Sequence, residues 1–147
     1  MKTKPLNSPL KNILQLAISC FFILSISSCA KTIHFSPSVV VPAASGSVKV
    51  KKDQNNNYSI EVSLINLAPS NKLTPPRDNY VVWVDTKSNG VKNIGQVNTS
   101  TGLFSKKLKA NLSANVPFKI KQVFITAEDV QNATSPGTQV VLTTETF

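Results

Sequence analysis

The sequence predicts an all-β protein, a single antiparallel β-sandwich of the immunoglobulin-like type. From Gly46 onward, short segments alternate apolar and polar residues, and clusters of Asn, Gly, Pro and Ser separate them. No stretch of this region keeps apolar residues at helical spacing. About seven short strands joined by such loops fit two stacked sheets.

The seven strands follow from these alternations. They are predicted at residues 47–53, 58–67, 80–86, 91–98, 103–112, 118–128 and 139–144. In the second strand, Tyr58, Ile60 and Val62 share one face, as expected of a strand with one buried side, and it should pair with the first in a hairpin. The third strand is apolar from residue 80 to 84, which is typical of a central strand covered on both faces.

Two later strands are less regular. The strand at 103–112 has Phe104, Leu108 and Leu112 as expected core residues. The strand at 118–128 begins by alternating and becomes apolar on both faces near Phe124. Such a change of phase predicts a β-bulge or entry into the middle of a sheet.

The N-terminus carries a targeting signal. Lysines at positions 2, 4 and 11 precede an apolar run at 13–26, and the sequence Ile-Ser-Ser-Cys at 26–29 closes it. This order resembles a bacterial lipoprotein signal peptide, which is cut before a cysteine that then carries lipid, here Cys29. A retained membrane-spanning helix and an ordinary cleaved signal are the alternatives. A spanning helix needs about 20 apolar residues, and Gln15 and Ser19 interrupt this run.

Three regions follow from this interpretation. Residues 1–28 form a cleaved signal peptide, 29–45 a lipidated cysteine and flexible tether rich in Pro, Ser and Ala, and 46–147 the β-sandwich domain. The valines at 39–41 are a candidate edge strand within the tether. Ala30 and Lys31 follow the cysteine where signals of this type carry an aspartate for inner-membrane retention. We therefore expect the outer membrane, with the domain facing the periplasm.

Cysteine content and charge restrict the chemistry. Cys20 would be discarded with the signal and Cys29 would be acylated, so no thiol is left for a disulfide, a metal or a nucleophile. Loss of three lysines with the signal lowers the formal net charge from +9 to +6. Basic charge often indicates nucleic acid binding, but export and the lack of an RNA- or DNA-binding pattern argue against it. We expect no cofactor and no nucleic acid partner.

Catalytic residues are not evident. His34 is the single histidine and lies in the expected tether. Asp85, Glu128 and Asp129 include possible pairs for glycoside cleavage, but each stands at a strand end beside turn residues, which favours solvated carboxylates. We expect a protein that is not an enzyme.

Lysines suggest a binding surface. Lys49, Lys51, Lys119 and Lys121 stand at alternate positions of two strands and would line one exposed sheet face. Such a face would suit lipid A phosphates, anionic glycan or an acidic protein. The alternative is that lysines on edge strands prevent edge-to-edge aggregation.

Several segments also share a family pattern. They are the Tyr-Val-Val-Trp-Val strand at 80–84, the glycines at 90, 95 and 102, Phe104, Phe-Ile-Thr-Ala-Glu at 124–128 and the Pro-Gly-Thr-Gln-Val-Val-Leu ending at 136–142. Over residues 46–143 the chain resembles the C-terminal extracytoplasmic domain of anti-sigma-K-type factors. The resemblance implies a sandwich in which Trp83 packs between the sheets. The family's cytosolic zinc-associated domain, with its His-x-x-x-Cys-x-x-Cys motif, has no counterpart here.

The sequence therefore predicts a lipid-anchored, non-catalytic binding or sensing module of the cell envelope. One hypothesis is that it recognises an envelope protein through loops or a sheet edge, with a link to anti-sigma signalling. The other is a structural lipoprotein that binds anionic glycan or lipopolysaccharide through its basic face. The oligomeric state is left open by the sequence.

Overall fold

Two antiparallel sheets packed face to face make up the structure. The computed structural model describes residues 30–102 and 105–147. The strands of this part are β1 (Lys31–His34), β2 (Ser45–Lys52), β3 (Tyr58–Ile65), β4 (Asn79–Thr86), β5 (Val91–Val97), β6 (Ser100–Gly102), β7 (Ser105–Val116), β8 (Ile120–Glu128) and β9 (Val140–Thr143), with one 3-10 turn at Ser70–Lys72. The all-β sandwich predicted from the sequence is confirmed.

Strand order shows which strands are interior. The first sheet has the order β1-β2-β3-β7-β6, and the second has the order β5-β4-β8-β9. The predicted hairpin of β2 and β3 is present, with Val48 opposite Val62 and Val50 opposite Ile60. Both β2 and β8 therefore have a hydrogen-bonded strand on each side, whereas β1, β5, β6 and β9 lie at the edges of the described sheets.

The core lies between the sheets. In β3, Ile60, Val62 and Leu64 are buried while Ser59, Glu61 and Ser63 are less covered or exposed, as the alternation predicts. The second sheet contributes the inward residues of β4 and β8, including Val82, Val84, Val123 and Ile125. The first sheet thus has one polar face in water.

Strand β4 is buried on both faces over most of its length, as predicted, but Trp83 lies on the face opposite to the one expected. Tyr80, Val82 and Val84 point into the core between the sheets, so by alternation Val81 and Trp83 point to the outer face of the second sheet. The expectation that Trp83 packs between the sheets is wrong. It is nevertheless 0% exposed, because the loop between β8 and β9 covers that face.

The segment expected to be a tether is part of the sandwich. Lys31–His34 pairs with β2 along its whole length, and Phe35 and Val41 are buried in the core. The Ser38 hydroxyl donates a hydrogen bond to the Val141 carbonyl and accepts one from the Val41 N–H. The edge strand is Lys31–His34 rather than the valines at 39–41, because Ile33 and Phe35 cover apolar residues at the edge of the sheet, whereas Val39 is 92% exposed.

Two details of the predicted strands are resolved by the pairing. The register of β8 against β4 shifts next to Lys121, so the predicted bulge is present, and β8 is also an interior strand. Residues 100–102, expected in a turn, form the short strand β6. Phe104, expected to anchor the core, lies outside the described residues, as do Cys29 and the signal segment 1–28.

Helix is confined to the one short turn at Ser70–Lys72 in the residues 30–102 and 105–147. Within these ranges, no helix has the length and apolar character needed to span a membrane.

Candidate functional sites at the two ends of the sandwich

The two ends of the sandwich carry different loops. The name Lys31 end is used for the end of the sandwich at which the described residues begin. It holds the start of β1, the β2–β3 turn, the β7–β8 connection and the C-terminal Phe147. We call the opposite end the Arg77 end. It holds the β1–β2 loop, the long β3–β4 connection and the loop at 129–139.

The four lysines predicted to share a sheet face are divided between the sheets. Lys49 and Lys51 project from the outer face of the first sheet, opposite Glu61 and Ser59. Lys121 is the second residue of β8 in the second sheet, and Lys119 lies in the connection just before that strand. The prediction of one basic sheet face is wrong, because alternation along a strand shows which side a residue takes but not which strands are neighbours.

A different set of lysines converges at the Lys31 end. Lys31, Lys52 and Lys119 surround a cleft with a volume of about 310 Å³, which we call the basic cleft. Its remaining lining residues are apolar or aromatic: Val50, Tyr58, Ile120 and Phe147. Lys52 comes from the β2–β3 hairpin and Lys119 from the start of the second sheet, so the cleft lies between the two sheets where the sandwich opens.

Aromatic rings position two of these lysines. The Lys31 Nζ lies 5.2 Å from the centre of the Phe147 ring, and the Lys52 Nζ lies 6.0 Å from the centre of the Tyr58 ring. Both distances are within the range of cation–π attraction. The backbone N–H of Phe147 donates to the Lys121 carbonyl at 2.9 Å, which ties this residue to β8 of the second sheet. The cleft therefore presents ammonium groups over an apolar floor.

The candidate carboxylates do not form a catalytic pair. Asp85 lies opposite Gln122, six positions along β8 from Glu128, and it accepts a hydrogen bond from the Lys121 ammonium at 3.1 Å. Six residues of strand span about 20 Å. Glu128 and Asp129 are also engaged in the fold, because Glu128 accepts from Gly137 and Asp129 pairs with Arg77.

His34 lies at the exposed end of β1. Among residues 30–102 and 105–147, no group of three or more His, Cys, Asp or Glu side chains has the arrangement of a metal site.

Hydrogen bonds from polar side chains fix the loops at the Arg77 end. The Arg77 guanidinium donates to the Asp129 carboxylate at 2.5 Å and to the Gln139 side chain at 3.1 Å. The Ser70 hydroxyl donates to the Asp78 carbonyl at 2.9 Å within the β3–β4 connection. Arg77 thus ties that connection to both sides of the loop at 129–139.

These loops enclose a second concavity, which we call the valine groove. It has a volume of about 850 Å³, and its walls come from residues 39–43, 72–75 and 138–140, with Ala68 and Arg77. Val39 is 92% exposed and Val140 is 41% exposed, so apolar side chains stand in water at its rim. Lys72 and Arg77 are the basic residues of its lining.

The loop at 129–139 also seals the outer face of the second sheet. The indole N–H of Trp83 donates to the Thr126 hydroxyl at 2.7 Å, and that hydroxyl donates to the Glu128 carboxylate. The same carboxylate accepts the Gly137 N–H at 2.7 Å. This series of hydrogen bonds links the buried Trp83 ring in β4 to the loop that forms one wall of the valine groove. Sequence reasoning missed it because it depends on which face of β4 the loop covers.

Among the residues that the structure describes, Tyr80 and Asp53 have shifted pKa values. Burial raises the pKa of Tyr80 to about 12, and its hydroxyl donates to the Ala68 carbonyl at 2.7 Å. Desolvation by itself would raise the pKa of Asp53, but hydrogen bonds from the Asn57 N–H, the Asn57 amide and the Asn55 N–H outweigh it and hold the pKa below its usual value. The Asp53 charge is therefore held within the β2–β3 turn.

One signal for the basic cleft was present in the sequence. Val48, Val50 and Lys52 occupy the same face of β2, so Lys52 continues an inward-facing row to the end of the sandwich. The convergence with Lys31 and Lys119 was not predictable, because it requires the position of β1 and the stacking of the sheets.

No protein-family model matches the chain, and comparison with curated proteins and with solved structures finds no significant match.

Proposed function

We propose that this protein is a lipid-anchored module of the bacterial cell envelope that faces the periplasm, from the outer membrane, and acts by binding rather than by catalysis. The observation that carries the proposal is the spacing at the N-terminus. Cys29 closes the signal-like segment, and β1 begins only two residues later at Lys31. Cleavage before Cys29 would therefore leave the sandwich essentially intact and place its Lys31 end next to the lipid.

The valine groove is the proposed binding surface for an envelope protein. It lies at the end of the sandwich opposite the lipid, so it would face away from the membrane. Contiguous apolar surface rimmed by polar residues is typical of protein-binding sites. The hydrogen bonds of Arg77 hold the groove walls in place, which reduces the ordering cost of binding a partner segment with apolar side chains.

A sensing role is the more specific form of this proposal. The resemblance of residues 46–143 to the extracytoplasmic domain of anti-sigma-K-type factors suggests that the bound partner takes part in envelope signalling. A sigma-factor or anti-sigma gene next to this one would support that role. The alternative of a basic sheet face for anionic glycan loses its geometric basis, since Lys49 and Lys51 lie in the first sheet and Lys121 lies in the second.

The lipid anchor is tested by replacing Cys29 with Ser in the full chain. In the producing bacterium, the unchanged protein should fractionate with membranes and have an intact mass equal to residues 29–147 plus acyl chains. The Cys29→Ser variant should retain its precursor mass. Membrane fractionation of an unchanged protein whose mature N-terminus carries no acyl chain would contradict the proposal.

The binding surface is tested by photo-crosslinking in the same cells. A photoreactive residue at Val39 should give a discrete crosslinked envelope protein, and one at Ser113, which is exposed on the first sheet, should not. Changing Val140 to Lys should abolish the Val39 crosslink by placing a charge at the rim of the groove. Equal crosslinking at the two positions would show that the groove is not the contact surface.

A further inference from the structure

We infer that the Lys31 end docks on the phosphate headgroups of anionic lipids in the membrane that carries the Cys29 lipid, with the basic cleft as the contact site. This inference rests on the lipid attachment in the proposed function and adds a second contact to it. The membrane would then hold the domain in one orientation instead of leaving it to rotate about its N-terminus.

The lysines of the basic cleft are available for an external anion. Among residues 30–102 and 105–147, ion pairs join Arg77 to Asp129 and Lys121 to Asp85, and none involves Lys31, Lys52 or Lys119. Lys31 and Lys52 instead lie over aromatic rings. A ring attracts an ammonium group without neutralising its charge.

The acidic residues of this end are held by other groups or stand outside the cleft. Asp85 is bound to Lys121, and Asp53 accepts hydrogen bonds from Asn55 and Asn57 within its turn. Glu145 lines the neighbouring surface beside Lys31 and Phe147 but is not part of the basic cleft. The lining residues of the cleft thus carry no side-chain carboxylate, and Lys31, Lys52 and Lys119 are exposed to solvent.

Protection of sheet edges does not account for these positions. Edge strands carry lysine because it discourages pairing with another chain, and Lys31 in β1 fits that explanation. Lys52 and Lys119 do not fit it, since Lys52 ends the interior strand β2 and Lys119 lies in the connection just before the interior strand β8. Lys52 also occupies an inward-facing row, where an apolar residue would continue the pattern of Val48 and Val50.

The length of the chain brings the basic cleft to the membrane. A fully extended chain spans at most about 3.6 Å per residue, so the two residues from Cys29 to Lys31 reach roughly 7 Å. With lipid on Cys29, Lys31 must therefore lie at the level of the headgroups. Aromatic residues and lysines are both favoured there, the former at the interface and the latter beside lipid phosphate. Tyr58 and Phe147 supply the aromatic residues.

The test uses the acylated protein purified from membranes and placed on two kinds of vesicle. One kind contains only phosphatidylcholine, and the other contains phosphatidylcholine with phosphatidylglycerol. Acetylation of lysines by a water-soluble reagent is followed by mass spectrometry. On anionic vesicles, Lys31, Lys52 and Lys119 should react at least about fivefold more slowly than on neutral ones, consistent with the attraction of each lysine to anionic lipid. Lys72 and Lys109 should react equally on both.

Matched variants identify the cleft as the cause. In the Lys52→Gln/Lys119→Gln protein, the protection of Lys31 on anionic vesicles should be lost. In the Lys72→Gln/Lys109→Gln protein, which removes the same charge elsewhere, it should persist. Salt at about 1 M should abolish protection in both, because screening then acts within about 3 Å. Circular dichroism verifies that each variant is folded.

Three outcomes would overturn the inference. Equal labelling of Lys31 on the two kinds of vesicle would show that the end does not dock on anionic lipid. Protection that survives in the Lys52→Gln/Lys119→Gln protein would place the contact elsewhere. A soluble anionic polysaccharide added to neutral vesicles is the third case. If it slows the acetylation of the cleft lysines while anionic vesicles do not, the cleft is a glycan site instead of a lipid site.

Failure of the anchor is distinguishable from failure of the docking. If the mass of the purified protein shows no acyl chain on Cys29, the proposed attachment is wrong. Flotation of that unacylated protein at low salt then still tests docking. Association with anionic but not neutral vesicles, lost in the Lys52→Gln/Lys119→Gln protein, supports the cleft, and the absence of such association contradicts it.

Discussion

The two ends of the sandwich use cationic side chains in opposite ways. At the Arg77 end, the guanidinium is bound to the Asp129 carboxylate and the Gln139 amide, so its charge joins two loops. At the Lys31 end, Lys31 and Lys52 lie over the rings of Phe147 and Tyr58. A basic residue therefore indicates a binding site only where its neighbours leave its charge unneutralised.

The loops at the two ends also differ in length and in how they are held. At the Arg77 end, long connections are tied together by side-chain hydrogen bonds and rest on the buried face that contains Trp83. At the Lys31 end, short turns close the strands, and Asp53 organises the turn between β2 and β3. We therefore expect substitutions at the Arg77 end to reduce stability, and lysine substitutions at the Lys31 end to affect binding instead.

The largest expected effect comes from removing the ring beneath the loop at 129–139. Replacing Trp83 with Ala should lower the free energy of unfolding by about 3–5 kcal/mol, because it leaves a cavity on the outer face of the second sheet and removes the donor to Thr126. Urea denaturation measures the loss. Trp83→Phe keeps most of the volume and should cost less than Trp83→Ala. A small loss for both would show that the cover contributes little.

A second prediction concerns Tyr80, which ties the β3–β4 connection to the core. Tyr80→Phe removes the hydrogen bond to the Ala68 carbonyl and should lower the free energy of unfolding by about 0.5–1.5 kcal/mol. Burial raises its pKa from 10.0 to about 12, so above pH 10 the unfolded chain ionises first. Stability should then fall as the pH rises through this window.

The control for Tyr80 is the other tyrosine. Tyr58→Phe keeps Tyr80 and should retain the fall in stability at high pH that Tyr80→Phe removes. Denaturation curves at neutral pH and near pH 11 test this difference. The same pH dependence in the two variants would contradict the assignment to Tyr80.

The third prediction compares one cation from each end. Arg77→Met should lower the free energy of unfolding by about 1 kcal/mol, mostly through the lost hydrogen bond to Gln139, since the ion pair with Asp129 is partly exposed and screened. Lys52→Met should change it by less than about 0.5 kcal/mol. Thermal denaturation of the two variants tests the contrast. Equal destabilisation would show that Lys52 is also structural.

The smallest expected effect is at the β2–β3 turn. Asn57→Ala removes one donor to the Asp53 carboxylate and should raise the pKa of Asp53 toward its usual value of 3.8. The stabilisation from a lowered carboxyl pKa is present at neutral pH and is lost as the pH falls through that pKa. Titration followed by NMR measures the change, and Gln54→Ala serves as the control. An unchanged pKa would show that the turn does not hold the Asp53 charge.

Local patterns predicted much of this fold because they act over a few residues. The alternation in β3 correctly assigned Ile60 and Val62 to the core, and the apolar run at 80–84 correctly indicated a strand covered on both faces. The change of phase near Phe124 marked an interior strand with a bulge. Each of these features depends on side chains taking opposite sides of a strand in turn, which is a property of the backbone.

The candidate sites were less predictable, because they depend on which strands pair and on which loops cover a sheet face. The proline- and serine-rich segment after Cys29 resembles a tether, yet Lys31–His34 pairs with β2 as a strand, and Phe35 and Val41 are buried in the core. Trp83 was expected between the sheets, and the covering loop buries it on the outer face instead.

The all-β class, most strand positions and the signal-like segment before Cys29 could be predicted from the amino-acid order, because alternation and hydropathy are local. The three-dimensional fold was needed to show that Lys49 and Lys121 lie in different sheets while Lys52 and Lys119 meet at one end. Strand order and sheet stacking bring together residues that are far apart in the chain, and no short-range pattern records which strands become neighbours.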